Sequence, residues 1–229
     1  GRCVITWAIK LSFQRQIISI PPIDNINAVI SFTEALKNNA DVNIFFYNLS
    51  NEIILERKAN VSHKDEINLN NLIDIPLKEC KYVKFDFGTE KNIYGYLNIN
   101  YLINNKLCDQ VHATCDFGDH KKGPQALKFM YFPEQENFHS YVCITGMNYS
   151  MDMKLRLILK NDIEHVLNFH LIKSDVNFFK IKDLLNKVNE NLKKSGIIQF
   201  ESKNGNPDVN LFTYNQTNQT LSADHFTGG

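Results

Sequence analysis

Apolar and polar residues alternate with a period of two along much of the chain, most clearly in Met153-Lys-Leu-Arg-Leu-Ile-Leu159. Met153, Leu155, Leu157 and Leu159 share one face there, and Lys154 and Arg156 take the other. The same reading predicts strands over 28–32, 42–46, 53–55, 83–87 and 94–99, and then over 141–144, 153–159, 165–170, 197–200 and 209–214. Short strands separated by Asn, Asp, Gly and Lys turns point to antiparallel sandwiches, because the helices and uniformly apolar strands of a parallel α/β sheet are missing from the pattern. One segment departs from it. Ile181, Leu184, Leu185, Val188 and Leu192 recur at helical spacing, and Lys193-Lys194-Ser195-Gly196 supplies cations and a stop, so a helix is expected there. Its counterpart near Leu69–Ile75 is cut short by Pro76.

Laid over itself at a shift of 112 residues, the chain matches in order along most of its length. Pro21 falls on Pro133, Ala28-Val29-Ile30 on Ser140-Tyr141-Val142, Ile54-Leu55 on Val166-Leu167, and Ile67–Ile73 on Phe179–Leu185. A three-residue insertion then places Val83-Lys84-Phe85 on Ile198-Gln199-Phe200, and Asp116-Phe117 lands near His225-Phe226. The expected fold class is therefore all-β: two tandem antiparallel β-sandwich repeats, 1–118 and 119–229, the second with one inserted α-helix. Gly118–Pro124 is the polar joint between them.

Composition narrows the classes of function. The 25 basic residues cancel the 25 acidic ones, and the longest basic runs, Lys121-Lys122 and Lys193-Lys194, are too short to follow a phosphate backbone; no nucleic-acid partner is expected. No apolar stretch is long enough to span a bilayer, so no membrane partner is expected either. Five cysteines at irregular spacing point to reduced thiols and a cytoplasmic setting. Sequons at Asn48, Asn60, Asn148, Asn215 and Asn218 point the other way, although an Asn-rich composition generates such triplets by itself. The compartment stays open on these grounds.

Candidate chemistry is sparse. Cys108, His112, Cys115 and His120 carry zinc-type ligand atoms, but on one continuous strand Cys108 and His112 would face away from Cys115, so no metal and no other cofactor is expected. Asp116-Phe117-Gly118 lacks every companion motif of a kinase, and His139 beside Ser140 would point to opposite strand faces. The repeat ends hold more. His112 with Asp116 in one copy, and Asp224 with His225 in the other, place imidazole and carboxylate next to aromatic residues, a set that can bind a sugar or another small polar ligand. Asn43-Ile-Phe-Phe-Tyr47 carries no charge. Its Phe45 alternates away from Ile44 and Phe46, which makes Phe45 and Tyr47 the expected interface residues.

Gly1-Arg2-Cys3 with Thr6-Trp7-Ala8-Ile9, Ile20-Pro21-Pro22, and Asn39–Tyr47 resemble the small sandwich proteins known as sensory rhodopsin transducers. The resemblance continues through Ile67–Ile73, Val83-Lys84-Phe85 and Val111-His112-Ala113-Thr114. It implies a non-enzymatic β-sandwich that binds partners and oligomerises. Together with the repeat, the expected function is a tandem β-sandwich binding or assembly protein recognising a protein or carbohydrate-like ligand, with homo-oligomerisation through sheet edges or the interdomain groove. The competing expectation is an accessory β domain of a larger polysaccharide-acting enzyme.

Overall fold

The computed structural model describes residues 14–88, 93–115, 126–133, 137–146, 150–159, 162–172, 175–186, 195–202 and 207–226. The chain divides into two compact units, Gly1–Asp119 and His120–Gly229. Both are all-β sandwiches.

Unit 1 contains β1 (Arg15–Ser19), β2 (Ile26–Ser31), β3 (Ala40–Asn48), β4 (Ile53–Val61), β5 (Glu66–Asn68), β6 (Cys80–Asp86), β7 (Asn98–Ile103), β8 (Lys106–His112) and β9 (Thr114–Cys115). Its first sheet runs β4-β3-β6-β1-β9 and its second β5-β2-β7-β8, all neighbours antiparallel. Alternation explains the core. Val42, Ile44 and Phe46 of β3, and Val83 and Phe85 of β6, turn inward onto Ala28, Ile30, Ile99 and Tyr101 of the second sheet, all of them buried.

The abundant asparagines serve the turns between strands. Asn104 and Asn105, with φ of 50° and 63°, form the two-residue link from β7 to β8, a left-handed pair that Asn tolerates better than other side chains. Asn48 Oδ1 accepts from the backbone N–H of Ser50 and Glu52, closing the β3–β4 turn.

Unit 2 contains β10 (Ala126–Phe132), β11 (Phe138–Thr145), β12 (Met151–Leu159), β13 (Asp162–Leu171), β14 (Val176–Lys180), α1 (Ile181–Asn186), β15 (Gly196–Ser202), β16 (Asp208–Asn215) and β17 (Thr220–Phe226). Its sheets run β10-β15-β12-β13 and β14-β11-β16-β17. Taken in chain order, these are the strand orders of unit 1, apart from the extra β9. Even the irregularities agree: the register slips between Phe46 and Tyr47 where β3 meets β4, and between Leu157 and Ile158 where β12 meets β13.

The core of unit 2 draws Met130 and Phe132, Met153, Leu155 and Leu157, and Ile198 and Phe200 from the first sheet, against Val142, Ile144, Val209 and Leu211 from the second. Helix α1 closes the end of that core with Ile181, Leu184 and Leu185. It replaces the 3-10 turn Leu69–Asn71 of unit 1, whose Leu69 is equally buried. The remainder of the expected helix, Val188 and Leu192 included, lies outside the described residues, as does the Gly118–Pro124 joint.

Register corrects the repeat alignment in two places. Val61 pairs with Ala40 as Leu171 pairs with Met151, so Leu55 corresponds to His165 rather than to Leu167. At the chain ends, His112 lies opposite Asn98 as His225 lies opposite Asn210, so His225 is the counterpart of His112 and not of Asp116. The expected single strand through Leu107 and Phe117 is also broken. Cys108 and His112 belong to β8 in the second sheet, whereas Cys115 on β9 pairs with Gln16 of β1 in the first.

Candidate functional site

The outward face of a sandwich sheet ordinarily carries solvated polar residues, and polar groups withdrawn from water there need partners. On the second sheet of unit 1 one cross-strand row reads Glu66, Ser31, Asn98 and His112. Ile30 and Ile99 beside it face the core, so this row faces outward. Asn98 is only 6% exposed. Ser31, also buried, has its Oγ 3.0 Å from Thr33 Oγ1. His112 is exposed at the strand end, and its ring tilts against Tyr96 with 5.6 Å between centroids. Directly opposed residues of an antiparallel pair hold their Cβ atoms about 4.5–5.5 Å apart, so one small group can reach both the Asn98 amide and the His112 imidazole.

An amide donates and accepts, an imidazole does the same, and an aromatic ring gives a flat apolar wall. Each of these groups can bond to or stack against a polar ligand, and beside them the hydroxyls of Ser31 and Thr33 bond to each other.

The other residues singled out from sequence fall as follows. Asp116 lies outside the described residues. Asp224 is exposed on β17 opposite Leu211, on the neighbouring and opposite-facing register position to His225. For His225 the backbone register is defined, opposite Asn210. Phe45 and Tyr47 lie on the outward face of β3, half-buried. Lys84 Nζ stands 4.7 Å from the Phe45 ring centre and 5.8 Å from that of Tyr47, and Tyr47 stacks on Tyr82 at 4.3 Å and 16°. Strand β3 sits between β4 and β6, and around Phe45 and Tyr47 its backbone is paired on both sides, so contacts there are made through the side-chain face. The charges in Val83-Lys-Phe-Asp-Phe87 suggest a strand turned to solvent, but Val83 and Phe85 are core residues of an interior strand. Alternation hides this, because Lys84 and Asp86 come out on the other face.

The asparagines opposite the histidines escaped the sequence reading. Composition masked them, since Asn is common at turns throughout this chain, and only pairing shows that Asn98 and Asn210 hold one position in two repeats. Among the described residues, no three His, Cys, Asp or Glu side chains converge as metal ligands.

No protein-family model and no curated protein matches the chain. Among solved structures the chain is similar to an allantoicase at 9% identity, covering 94% of this chain and 75% of that one with a TM-score of 0.23. It is similar to Bacteroides uniformis beta-glucuronidase 3 at 10% identity, covering 93% and 26%, TM-score 0.24. A third is the serine-rich repeat protein Srr2 of Streptococcus agalactiae at 7% identity, covering 94% and 84%, TM-score 0.22. Overlap at this level is that of one strand-rich chain laid on another, and the fold assignment stands on pairing and register alone.

Proposed function

We propose that this is a non-enzymatic binding protein, and that unit 1 recognises a carbohydrate-like ligand through Asn98, His112 and Tyr96 at the end of its second sheet. The observation that carries the reading is the placement of Asn98 directly across the ladder from His112, whose ring tilts against Tyr96, so that an amide, an imidazole and an aromatic ring meet at one sheet end. The exposed His112 ring at the rim supplies a second directional contact, and Tyr96 supports it from behind. Phe45, Tyr47 and Lys84 on the first sheet provide a separate side-chain surface for assembly with a second copy.

The test of the binding role is titration of the whole chain with cellotetraose, chitotetraose, laminaritetraose and mannotetraose, followed by calorimetry on His112→Ala and Asn98→Leu. Binding by the unaltered chain and a loss of at least tenfold in each variant is the expected result. Equal affinity in all three proteins refutes the assignment of the site.

A further inference from the structure

The outward face of the first sheet of unit 2 carries a groove of about 450 Å³ that takes no part in the site above. Its walls are the side chains of Asp152 and Lys154 on β12, Asn168 on β13 and Glu201 on β15. Met153 and Phe169 border it as well, but both pack into the core on the other face, so the floor is their backbone. Register places Glu201, Lys154 and Asn168 in one cross-strand row; Asp152 follows two residues along β12 on the same face, with His170 opposite it. Small-molecule sites span roughly 300–1,000 Å³, so the groove has room for a ligand, and its polar walls select a polar one.

The charges around the groove are distributed unevenly. Arg156 Nη2 donates to Glu201 Oε2 at 2.5 Å from the neighbouring row, and in that half-buried pair the two charges offset each other. His170 Nδ1 lies 2.9 Å from Asp152 Oδ1 at the surface, a contact that leaves the carboxylate charged while the imidazole is neutral. Lys154, half-buried between them, belongs to neither pair. What the groove presents is therefore one ammonium and one carboxylate, on Cα atoms about 6–7 Å apart along the strand. Asn168 adds an amide that both donates and accepts. Unit 1 repeats only part of this: Asn60 Nδ2 donates to Asp41 Oδ1 at 2.7 Å where His170 meets Asp152, but the equivalent row reads Asp86, Asn43 and Lys58, with a neutral residue at its centre.

We propose that this groove binds a small zwitterion whose amine and carboxylate are several bonds apart, with its carboxylate on Lys154 Nζ and the Asn168 amide N–H and its ammonium on the Asp152 carboxylate. A singly charged ligand is drawn to one of the two charged groups and repelled by the other at similar range, whereas a ligand carrying both charges is attracted at each end. Each contact is open to solvent and weak by itself, so selection comes from meeting both together. Glu201, held by Arg156, repels a carboxylate from its side of Lys154 and turns the ligand toward Asn168. An α-amino acid carries both charges on one carbon and spans the two groups less well. The proposal goes beyond the carbohydrate-like reading of unit 1 and is independent of it, since it lies on other strands of the other unit.

The experiment is an amide NMR titration of the full ¹⁵N-labelled chain with 4-aminobutanoate, with butanoate and butylammonium as its singly charged analogues and glycine as the short zwitterion. Saturable shifts of the Asp152, Lys154 and Asn168 amides with 4-aminobutanoate are expected, with binding weaker by about tenfold for each of the other three. Lys154→Gln and Asp152→Asn change outward-facing side chains and should leave the circular dichroism spectrum as it is. Lys154→Gln should bring butylammonium level with 4-aminobutanoate, and Asp152→Asn should do so for butanoate, opposite changes that a merely structural role for either residue does not produce. Butanoate or butylammonium binding the unaltered chain as tightly as 4-aminobutanoate makes the groove a site for a single charge and overturns the proposal. Glycine binding as tightly overturns the spacing on which it rests. It also fails if none of the four gives a saturable shift up to about 10 mM ligand.

Discussion

Replacing Asn210 with leucine should change stability far less than removing a buried amide that holds the backbone. The Asn210 side chain is 6% exposed, and leucine keeps its branched shape while being larger. The amide is not among the buried side-chain groups left without a partner, so its loss relieves no full desolvation penalty; the methyl groups gain a fraction of a kcal/mol from burial, and the extra volume opposes that gain. We expect a net change within about 1 kcal/mol, moving the melting temperature of unit 2 by less than about 4 °C. Gln16→Leu is the control, because size and burial are comparable while the bonding is not. Gln16 is fully buried, its Oε1 accepts from the Leu97 N–H at 2.7 Å and its Nε2 donates to the Gly95 carbonyl at 3.1 Å. Leucine there strands both backbone groups and should cost about 2–4 kcal/mol. Because two units need not unfold together, urea midpoints from circular dichroism should be joined to hydrogen exchange at β11 and β16 for Asn210 and at β1 and β7 for Gln16. If Asn210→Leu destabilises as much as Gln16→Leu does, the Asn210 amide carries a structural hydrogen bond and the reasoning fails.

Other outcomes follow from the same geometry. Phe46→Ala should cost about 3–5 kcal/mol by chemical denaturation, since Phe46 is a fully buried core ring. Phe45→Lys, one residue earlier on the opposite face, should stay folded and lose about 1 kcal/mol with its cation–π contact to Lys84. Light scattering should then report the mass of one chain; an unchanged oligomer mass removes this face from the assembly surface. Gly146→Ala should lower the midpoint, because a Cβ there would lie 2.2 Å from the Ile172 carbonyl oxygen, and a silent substitution would show the turn is free to move. Burial, with a smaller contribution from Glu79, pushes the Cys80 thiol up to about 11. The unfolded thiol ionises from about pH 9 while the folded one stays neutral, so stability should fall between pH 9 and 11, by up to about 3 kcal/mol. Cys80→Ala should flatten that part of the pH profile, and an unchanged slope would assign the loss to other groups.

The fold was readable from sequence where one face of a strand is buried and the other wet. Met151–Leu159 is the clearest case, and its alternation survives in the buried and exposed positions of the folded strand. Short or weakly alternating strands gave no such signal: β10, with Ala126-Leu-Lys-Phe-Met-Tyr-Phe132, reads as an unpatterned apolar run, and β5 has only three residues. The predicted strand at Tyr94–Ile99 was displaced toward its C-terminal end. Gly95 closes against the Glu34 carbonyl there, and Gln16 holds the Gly95 and Leu97 backbone, so the ladder begins only at Asn98.

The candidate site was half readable, and the missing half is the more informative. Histidine at the two repeat ends is conspicuous in any reading, and it drew attention to the neighbouring carboxylates Asp116 and Asp224. Pairing shows that position 224 belongs to the opposite face register from 225, so a carboxylate beside a histidine in sequence is not beside it in a sheet. What lies beside the histidine is the residue across the ladder, and in both units that is asparagine. No periodicity marks it, because one asparagine in an Asn-rich chain resembles every other. It acquires meaning only after folding, from its place across the ladder from a histidine. A turn asparagine such as Asn48 bonds its own loop through Oδ1 and is accounted for by the backbone. Asn98 and Asn210 sit in regular strands and need no left-handed backbone, so the backbone gives no reason for asparagine at either position.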